Sequence, residues 1–249
     1  MKEATTNYRT DALVVKEMIV GESDRLVTLF TRDLGLIKAF ASGAKGIKSK
    51  KSAATGLLTY SNFFLVKKKD TYKIKEAAPI KSFFGAGSDI VSLALSQYLC
   101  ELCLVLAPSG VASEEFLRLI LNSLNFIAEK KFAPDFIKAI TELRTAVISG
   151  YMPNLVACSK CGCFENDVMY FLLDDGSLIC GDCGSNIGIP INRTVMTAMR
   201  HIVYSEFKNL YSFSIPENDV KLLSSVAEKY ITYQTEHKFA TLDFYKTVI

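Results

Sequence analysis

The chain has 249 residues, 49% of them apolar and 22% charged, a balance that excludes a disordered protein and leaves room for one large domain or two to three small ones. A mean hydropathy of +0.21 calls for a search for a membrane span. The most apolar window, 90–107, is broken by Ser92, Ser96, Gln97 and Glu101 and reads as a buried helix instead. Net charge is only +3, but residues 1–81 hold 16 Lys and Arg against 8 Asp and Glu, while residues 82–249 hold 13 against 18. A basic first third on an acidic remainder suggests a polyanion-binding module joined to a scaffold with another task.

The first 80 residues read as five strands, at 11–20, 25–31, 35–42, 57–66 and 71–78, rich in Val, Ile, Leu, Thr and Phe and separated by turn residues. Five short strands in so few residues fit a small closed barrel of OB-fold or SH3 type. Between the third and fourth strands, 43–56 is small, polar, basic and without periodicity, and reads as a mobile loop. From Lys81 onward the periodicity is helical. Helices are predicted at 88–106, from Ser113 as N-cap, from Pro134, at 193–210 and at 216–234, the last with a capping box of Ser214 and Glu217. The segment 153–190 interrupts them.

That segment carries the strongest motif. Cys158-Ser-Lys-Cys161 and Cys180-Gly-Asp-Cys183 form two C-x2-C pairs, and 168–179 reads as a hairpin with an Asp-Gly turn. Two cysteine turns joined by a hairpin describe a zinc ribbon, with Cys158, Cys161, Cys180 and Cys183 as the four ligands of one structural Zn²⁺. A glycine after each pair lets the backbone curl around the sulfurs. Cys163 is close enough in sequence to compete as a ligand. Cys100 and Cys103 form a third C-x2-C, but within an apolar helix, and read as core. Only two histidines, His201 and His237, are present, which excludes a His-rich catalytic metal site. With no apolar leader at residues 1–8, the seven cysteines point to thiolates in a reducing compartment rather than to a disulfide framework.

The basic residues cluster in the same small barrel. Lys38, Lys45, Lys48, Lys50 and Lys51 surround the third-to-fourth-strand loop; Lys67, Lys68 and Lys69 close the fourth strand; Lys73 and Lys75 lie on the fifth. Barrels that track single strands combine such a cationic surface with aromatic side chains, and Phe40, Tyr60, Phe63, Phe64 and Tyr72 are candidates, most of them as core. Lysine rather than arginine favours phosphate contact over base readout. The candidate nucleic-acid contacts are therefore Lys38, Lys45, Lys48, Lys50, Lys51, Lys67, Lys69, Lys73 and Lys75. The loop Gly43-Ala-Lys-Gly-Ile-Lys-Ser49 lacks the G-x4-G-K-[ST] of a phosphate loop. The Gly-Ala-Gly at 85–87 is not followed by a histidine ahead of the zinc cysteines, as an NAD-dependent deacylase requires. Neither motif supports catalysis.

A basic five-stranded barrel followed by helices with a four-cysteine insert resembles the RecO family of bacterial recombination mediators. The residues that carry the likeness are Gly21-Glu-Ser-Asp-Arg-Leu-Val-Thr-Leu-Phe-Thr31, Gly35-Leu-Ile-Lys38, Gly43-Ala-Lys45, the four cysteines and Thr241-Leu-Asp-Phe-Tyr245. Lysines stand where the family often has arginines after the Gly-Ala. The resemblance implies an α+β protein with an OB-fold at 1–81 and a helical domain at 82–249 bearing a zinc ribbon at 153–190. It further implies a non-enzymatic, cytoplasmic, nucleoid-associated DNA repair mediator that binds single- and double-stranded DNA and anneals strands. Its expected partners are a ring-forming RecR-like protein and the acidic C-terminal tail of single-strand binding protein. The competing expectation is a zinc-ribbon RNA-binding or transcription-associated protein.

Overall fold

The computed structural model describes residues 5–46, 49–83, 88–184 and 188–249, and only the backbone of Lys50. Strands β1 (Thr5–Val20), β2 (Asp24–Thr31), β3 (Gly35–Ala41), β4 (Thr59–Lys68) and β5 (Thr71–Ser82) close a barrel in the order β1-β2-β3-β5-β4. Neighbours are antiparallel except at the closure, where β3 and β5 run parallel through Ala39–Tyr72 and Phe40–Lys73. This closed OB-type barrel is one of the two types that the strand pattern allows and the one the family resemblance implies. The segment read as a mobile loop differs: it holds helix α1 (Lys50–Ala54), started by the Ser49 hydroxyl, which accepts from the Lys51 N–H. A propensity reading misses so short a helix because tertiary contacts hold it. Arg25 donates to Ser52 O (3.1 Å) and pairs with Glu17 (3.2 Å), while Ser61 Oγ donates to Ala54 O (2.9 Å). Lys51 Nζ turns inward to donate to Ile74 O (2.9 Å).

The remaining helices are α2 (Ile90–Leu106), α3 (Glu114–Ala128), α4 (Pro134–Ile148), α5 (Arg193–Tyr204), α6 (Glu217–Thr235) and α7 (Ala240–Val248). Strands β6 (Val168–Phe171), β7 (Leu178–Cys180) and β8 (Ile189–Asn192) lie between α4 and α5. Ser113 is the N-cap of α3 as expected, though without a side-chain bond. Two expectations are corrected: Pro216 caps α6 without the Ser214–Glu217 box, and α5 ends at Tyr204 with a separate 3₁₀ turn at Phe207–Asn209. By packing, the chain separates into two compact units, 1–131 with 241–249, and 132–240.

In the first unit, Ala12, Val14, Val27, Leu29, Ile37, Ala39, Phe63, Leu65 and Ile74 fill the barrel. Side chains of the other parity point outward. Part of that outward set is buried all the same: Leu13 and Phe30 are fully covered, and Phe30 meets Phe116 of α3 edge-on at 5.3 Å. The α2–α3 connection docks on the β2–β3 turn, where Leu36 N–H donates to Pro108 O (2.9 Å). Gly35 makes this approach possible. Its φ is +63°, and a Cβ there would lie 2.3 Å from Pro108 O and 2.4 Å from Val111 O. The C-terminal helix is tied to α2 by Glu101, which accepts from the Thr241 N–H (2.9 Å) and hydroxyl.

The second unit is built around α4, which buries residues on nearly every side, charged ones included. Lys138, 1% exposed, pairs with Glu142 (3.1 Å) and with Glu228 of α6 (2.9 Å) and donates to Ser224 Oγ (3.3 Å). Burial opposes its charge, but the two carboxylates outweigh burial and hold the ammonium protonated above the usual lysine range.

Two stability measurements follow by urea denaturation. Gly35→Ala should lose clearly more stability than Gly21→Ala, which has the same φ but nothing within 4 Å of its Cβ. The Gly21 change alone carries the left-handed cost of about 1–2 kcal/mol, so equal losses would contradict the docking. Lys138→Met should lose about 3–5 kcal/mol by stranding buried Glu142. Lys221→Met, in an exposed pair with Glu217, should stay within about 1 kcal/mol.

A candidate metal centre and a candidate nucleic-acid face

In the second unit β6 pairs with β7 and β8, giving the sheet order β7-β6-β8. The expected hairpin is present: Asp175 Oδ1 accepts from the Ser177 N–H, Leu172 N–H donates to Ser177 O, and Gly176 takes φ +66°. The third strand, β8, was not legible because Pro190 and two flanking isoleucines give it no alternation of their own. The hairpin packs on α6, with Phe171 edge-on to Tyr230 at 5.1 Å.

Each cysteine pair forms a turn against this sheet. Gly162 N–H donates to Cys158 O (2.9 Å), Gly184 N–H donates to Cys180 O (3.2 Å), and Ser159 N–H donates to Leu178 O (2.8 Å). Of the two glycines, only Gly162 needs its freedom, at φ +73°. The Sγ atoms of Cys158, Cys161, Cys180 and Cys183 lie within 4.8 Å of one another, and Cys161 and Cys180 are 3.6 Å apart. Four sulfurs at about 2.3 Å from a tetrahedral ion stand about 3.8 Å apart, so the donor set fits such an ion. Burial opposes the Cys158 thiolate, but the N–H groups of Cys180, Cys161 and Lys160 outweigh it and lower the thiol to about 6. Cys183, beside the Cys161 and Cys180 sulfurs, is pushed up to about 12. Four adjacent thiolates repel one another, so only a cation between them would hold all four ionised.

Cys163 lies outside this group. Its Sγ donates to Glu165 O (2.9 Å), and its carbonyl accepts from the Cys158 N–H (2.8 Å), so it braces the turn through the backbone. Cys100 and Cys103 are buried in α2, where burial raises both thiols, as expected for core residues.

In the first unit the strand register groups the basic residues. Lys16, Thr28 and Lys38 form one outward row across β1, β2 and β3. The next row runs Met18, Leu26, Phe40, Lys73, Val66 and Asn7 around the barrel. Lys16, Lys38, Lys45, Lys73 and Lys75 are exposed and have no ion-pair partner among the described residues. Lys16 and Lys38 are two strand spacings apart, about 10 Å. Lys45 approaches from its loop, where its N–H donates to Ser23 O (2.9 Å) in the β1–β2 turn. Lys75 sits in a register shift of β5 rather than in step with Lys73. Lys67 lies over the Tyr72 ring (5.2 Å), Lys69 occupies the β4–β5 turn at φ +54°, and Lys51 is engaged by Ile74 O. Lys48 and the Lys50 side chain fall outside the described residues. Among the aromatic candidates, Phe63 is core; Phe40, Tyr60, Phe64 and Tyr72 are half-buried. Sequence reading missed two members: Lys16, aimed outward by a bulge between Val14 and Lys16, and Arg9, stacked over Phe64 at 5.1 Å.

Metal analysis of Cys163→Ser should return about one divalent ion per chain, as for the native protein, whereas Cys158→Ser should lose the ion. Loss of the ion from the Cys163 variant would contradict the four-sulfur assignment.

Comparison with known proteins agrees with this arrangement. Residues 1–83 match the family model "Recombination protein O N terminal", and residues 87–243 match "Recombination protein O C terminal". A "DNA repair protein RecO" of Acetivibrio thermocellus is 33% identical over 245 residues, covering 97% of this chain and 98% of that protein. Proteins of the same name from Caldicellulosiruptor saccharolyticus and Dehalococcoides mccartyi are 27% and 30% identical, covering 96% and 84% of this chain and 98% and 83% of their own. With its barrel, its helices and its cysteine cluster, the chain belongs to the RecO family of DNA repair proteins.

Proposed function

We propose that this chain is a non-enzymatic mediator of recombinational repair, acting in the cytoplasm at the nucleoid. It binds single- and double-stranded DNA without sequence preference, anneals complementary strands, and helps load recombinase onto strands coated by single-strand binding protein. The observation that carries this reading is the outward face of β1, β2, β3 and β5. There Lys16, Lys38, Lys45 and Lys73 stand in solvent without counter-charge among the described residues, beside half-buried Phe40. Cations held unpaired on one face raise the local potential and attract phosphate. In OB-folds this face and its adjoining loops are where oligonucleotides bind.

The mechanism is charge neutralisation. Each lysine that meets a phosphate releases a condensed counterion, which drives binding and makes it fall with salt. Two strands drawn to the same surface lose part of their mutual repulsion and can pair. The candidate contacts are Lys38, Lys45, Lys48, Lys50, Lys51, Lys67, Lys69, Lys73 and Lys75, now with Lys16. Residues 82–249 hold the protein partners, a RecR-like ring and the acidic tail of single-strand binding protein.

Zn²⁺ is the ion whose chemistry suits four thiolates, and with all four positions taken by protein it is structural. Cys158, Cys161, Cys180 and Cys183 hold it, and it fastens the two cysteine turns to the hairpin. The ribbon itself is poorly suited to nucleic acid. Between 153 and 190 only Lys160 opposes Glu165, Asp167, Asp174, Asp175 and Asp182. That favours a DNA-binding barrel with a protein-facing ribbon over a ribbon that reads RNA.

Binding of an unstructured oligonucleotide, titrated against salt, tests the reading. Replacing Lys38, Lys45 and Lys73 together with Ala should weaken binding to all sequences alike, flatten the log–log salt slope by about 2 units, and slow strand annealing. An unchanged slope with unchanged annealing would remove this face from the interface.

A further inference from the structure

Two of the barrel's local irregularities lie at or beside one cavity. The first is the bulge that places Val15 and Lys16 consecutively on the same wall of β1. The second is Leu58, fully buried with φ +59°, a left-handed conformation that a leucine rarely adopts. Its neighbour Leu57 forms the cavity edge, and Leu58 is locked by hydrogen bonds on both sides, N–H to Val14 O (2.9 Å) and O from Phe83 N–H (3.1 Å). Bulges and strained residues gather where a side chain is re-aimed for a ligand.

The cavity, about 310 Å³, lies between β1 and α2, at the lower end of the size range of small-molecule sites. Val15, Leu57, Cys100 and Leu104 give it apolar walls, and Glu17, Glu101 and Thr241 complete the lining, Glu17 paired with Arg25 and Glu101 accepting from Thr241. Lys16 and Gln97 stand at it with no hydrogen-bond partner for either side chain among the described residues. Lys16 is also the first member of the outward lysine row with Thr28 and Lys38. One residue thus belongs both to the phosphate-binding face and to an apolar slot next to it.

We propose that this cavity takes a nucleobase turned out of a strand lying on the barrel face, with Lys16 on the adjoining phosphate. The apolar walls suit either face of a base, and the Gln97 amide offers donor and acceptor to its edge. Unstacking a base costs a few kcal/mol, least in a single strand, so the slot favours single-stranded over paired DNA. A strand held with one base extruded is kept from collapsing on itself while a complementary strand is found. This inference rests on the nucleic-acid reading of the barrel.

The test uses the full chain and a single-stranded oligonucleotide carrying one 2-aminopurine and a distant anisotropy label. At saturation by anisotropy, the native protein should raise 2-aminopurine fluorescence at least about twofold as the base leaves its stack. Leu104→Phe, which fills the slot, and Gln97→Leu, which keeps its volume but removes the amide, should each abolish most of that rise at saturation. Matching thermal melts establish that both variants fold. A rise of equal size in all three proteins, or no rise while anisotropy reports binding, would overturn the cavity alone. Absence of any anisotropy change would overturn the nucleic-acid reading and the cavity with it.

Discussion

Side chains of a barrel strand alternate between an interior that must be packed and an exterior that must be either covered or solvated. In this protein the interior is small and apolar, filled by Ala12, Val14, Val27, Leu29, Ala39 and Phe63. The exterior is divided. Where Leu13 and Phe30 point outward, α2 and α3 cover them, and Gly35 lets the α2–α3 connection touch the barrel backbone. Where Lys16, Lys38 and Lys73 point outward, nothing described pairs with them. The helices of the first unit therefore cover one side of the barrel and leave the basic side in solvent.

Charge is divided along the chain as well: residues 1–81 carry twice as many Lys and Arg as Asp and Glu, whereas residues 153–190 set one lysine against five carboxylates. The four-cysteine cluster is a local feature: it brings together two turns, each held by backbone N–H groups, on a hairpin whose Phe171 packs against Tyr230. The buried Lys138, Glu142 and Glu228 cluster does comparable work in the helices, fixing α4 against α6 through charge rather than shape.

Much of this was legible from residue order. β-rich runs between turn residues located all five barrel strands, the two C-x2-C pairs around a hairpin picked out the four sulfurs that cluster, and an apolar helical setting left Cys100 and Cys103 to the core. Features made by tertiary contact were not legible. Helix α1 has five residues and depends on Arg25 and Ser61 for its place; β8 contains a proline; the Ser214–Glu217 box lost to a helix start at Pro216. The lysine count indicated a basic barrel but not which lysines share a face. Register decides that: a bulge turns Lys16 outward, another shift takes Lys75 out of step with Lys73, and Lys51 folds in toward Ile74. The charged residues of α4 escaped because a buried ion cluster looks, in sequence, like a solvated helix face.

The central claim is that nucleic acid lies on the solvent side of β1, β2, β3 and β5. Hydrogen–deuterium exchange of the full chain with and without a saturating single-stranded oligonucleotide tests it most directly. Protection should appear in peptides spanning 16–28, 36–46 and 70–76, with 153–190 unchanged. Protection confined to the ribbon or the helices, with the barrel strands exchanging as in the free protein, would contradict it.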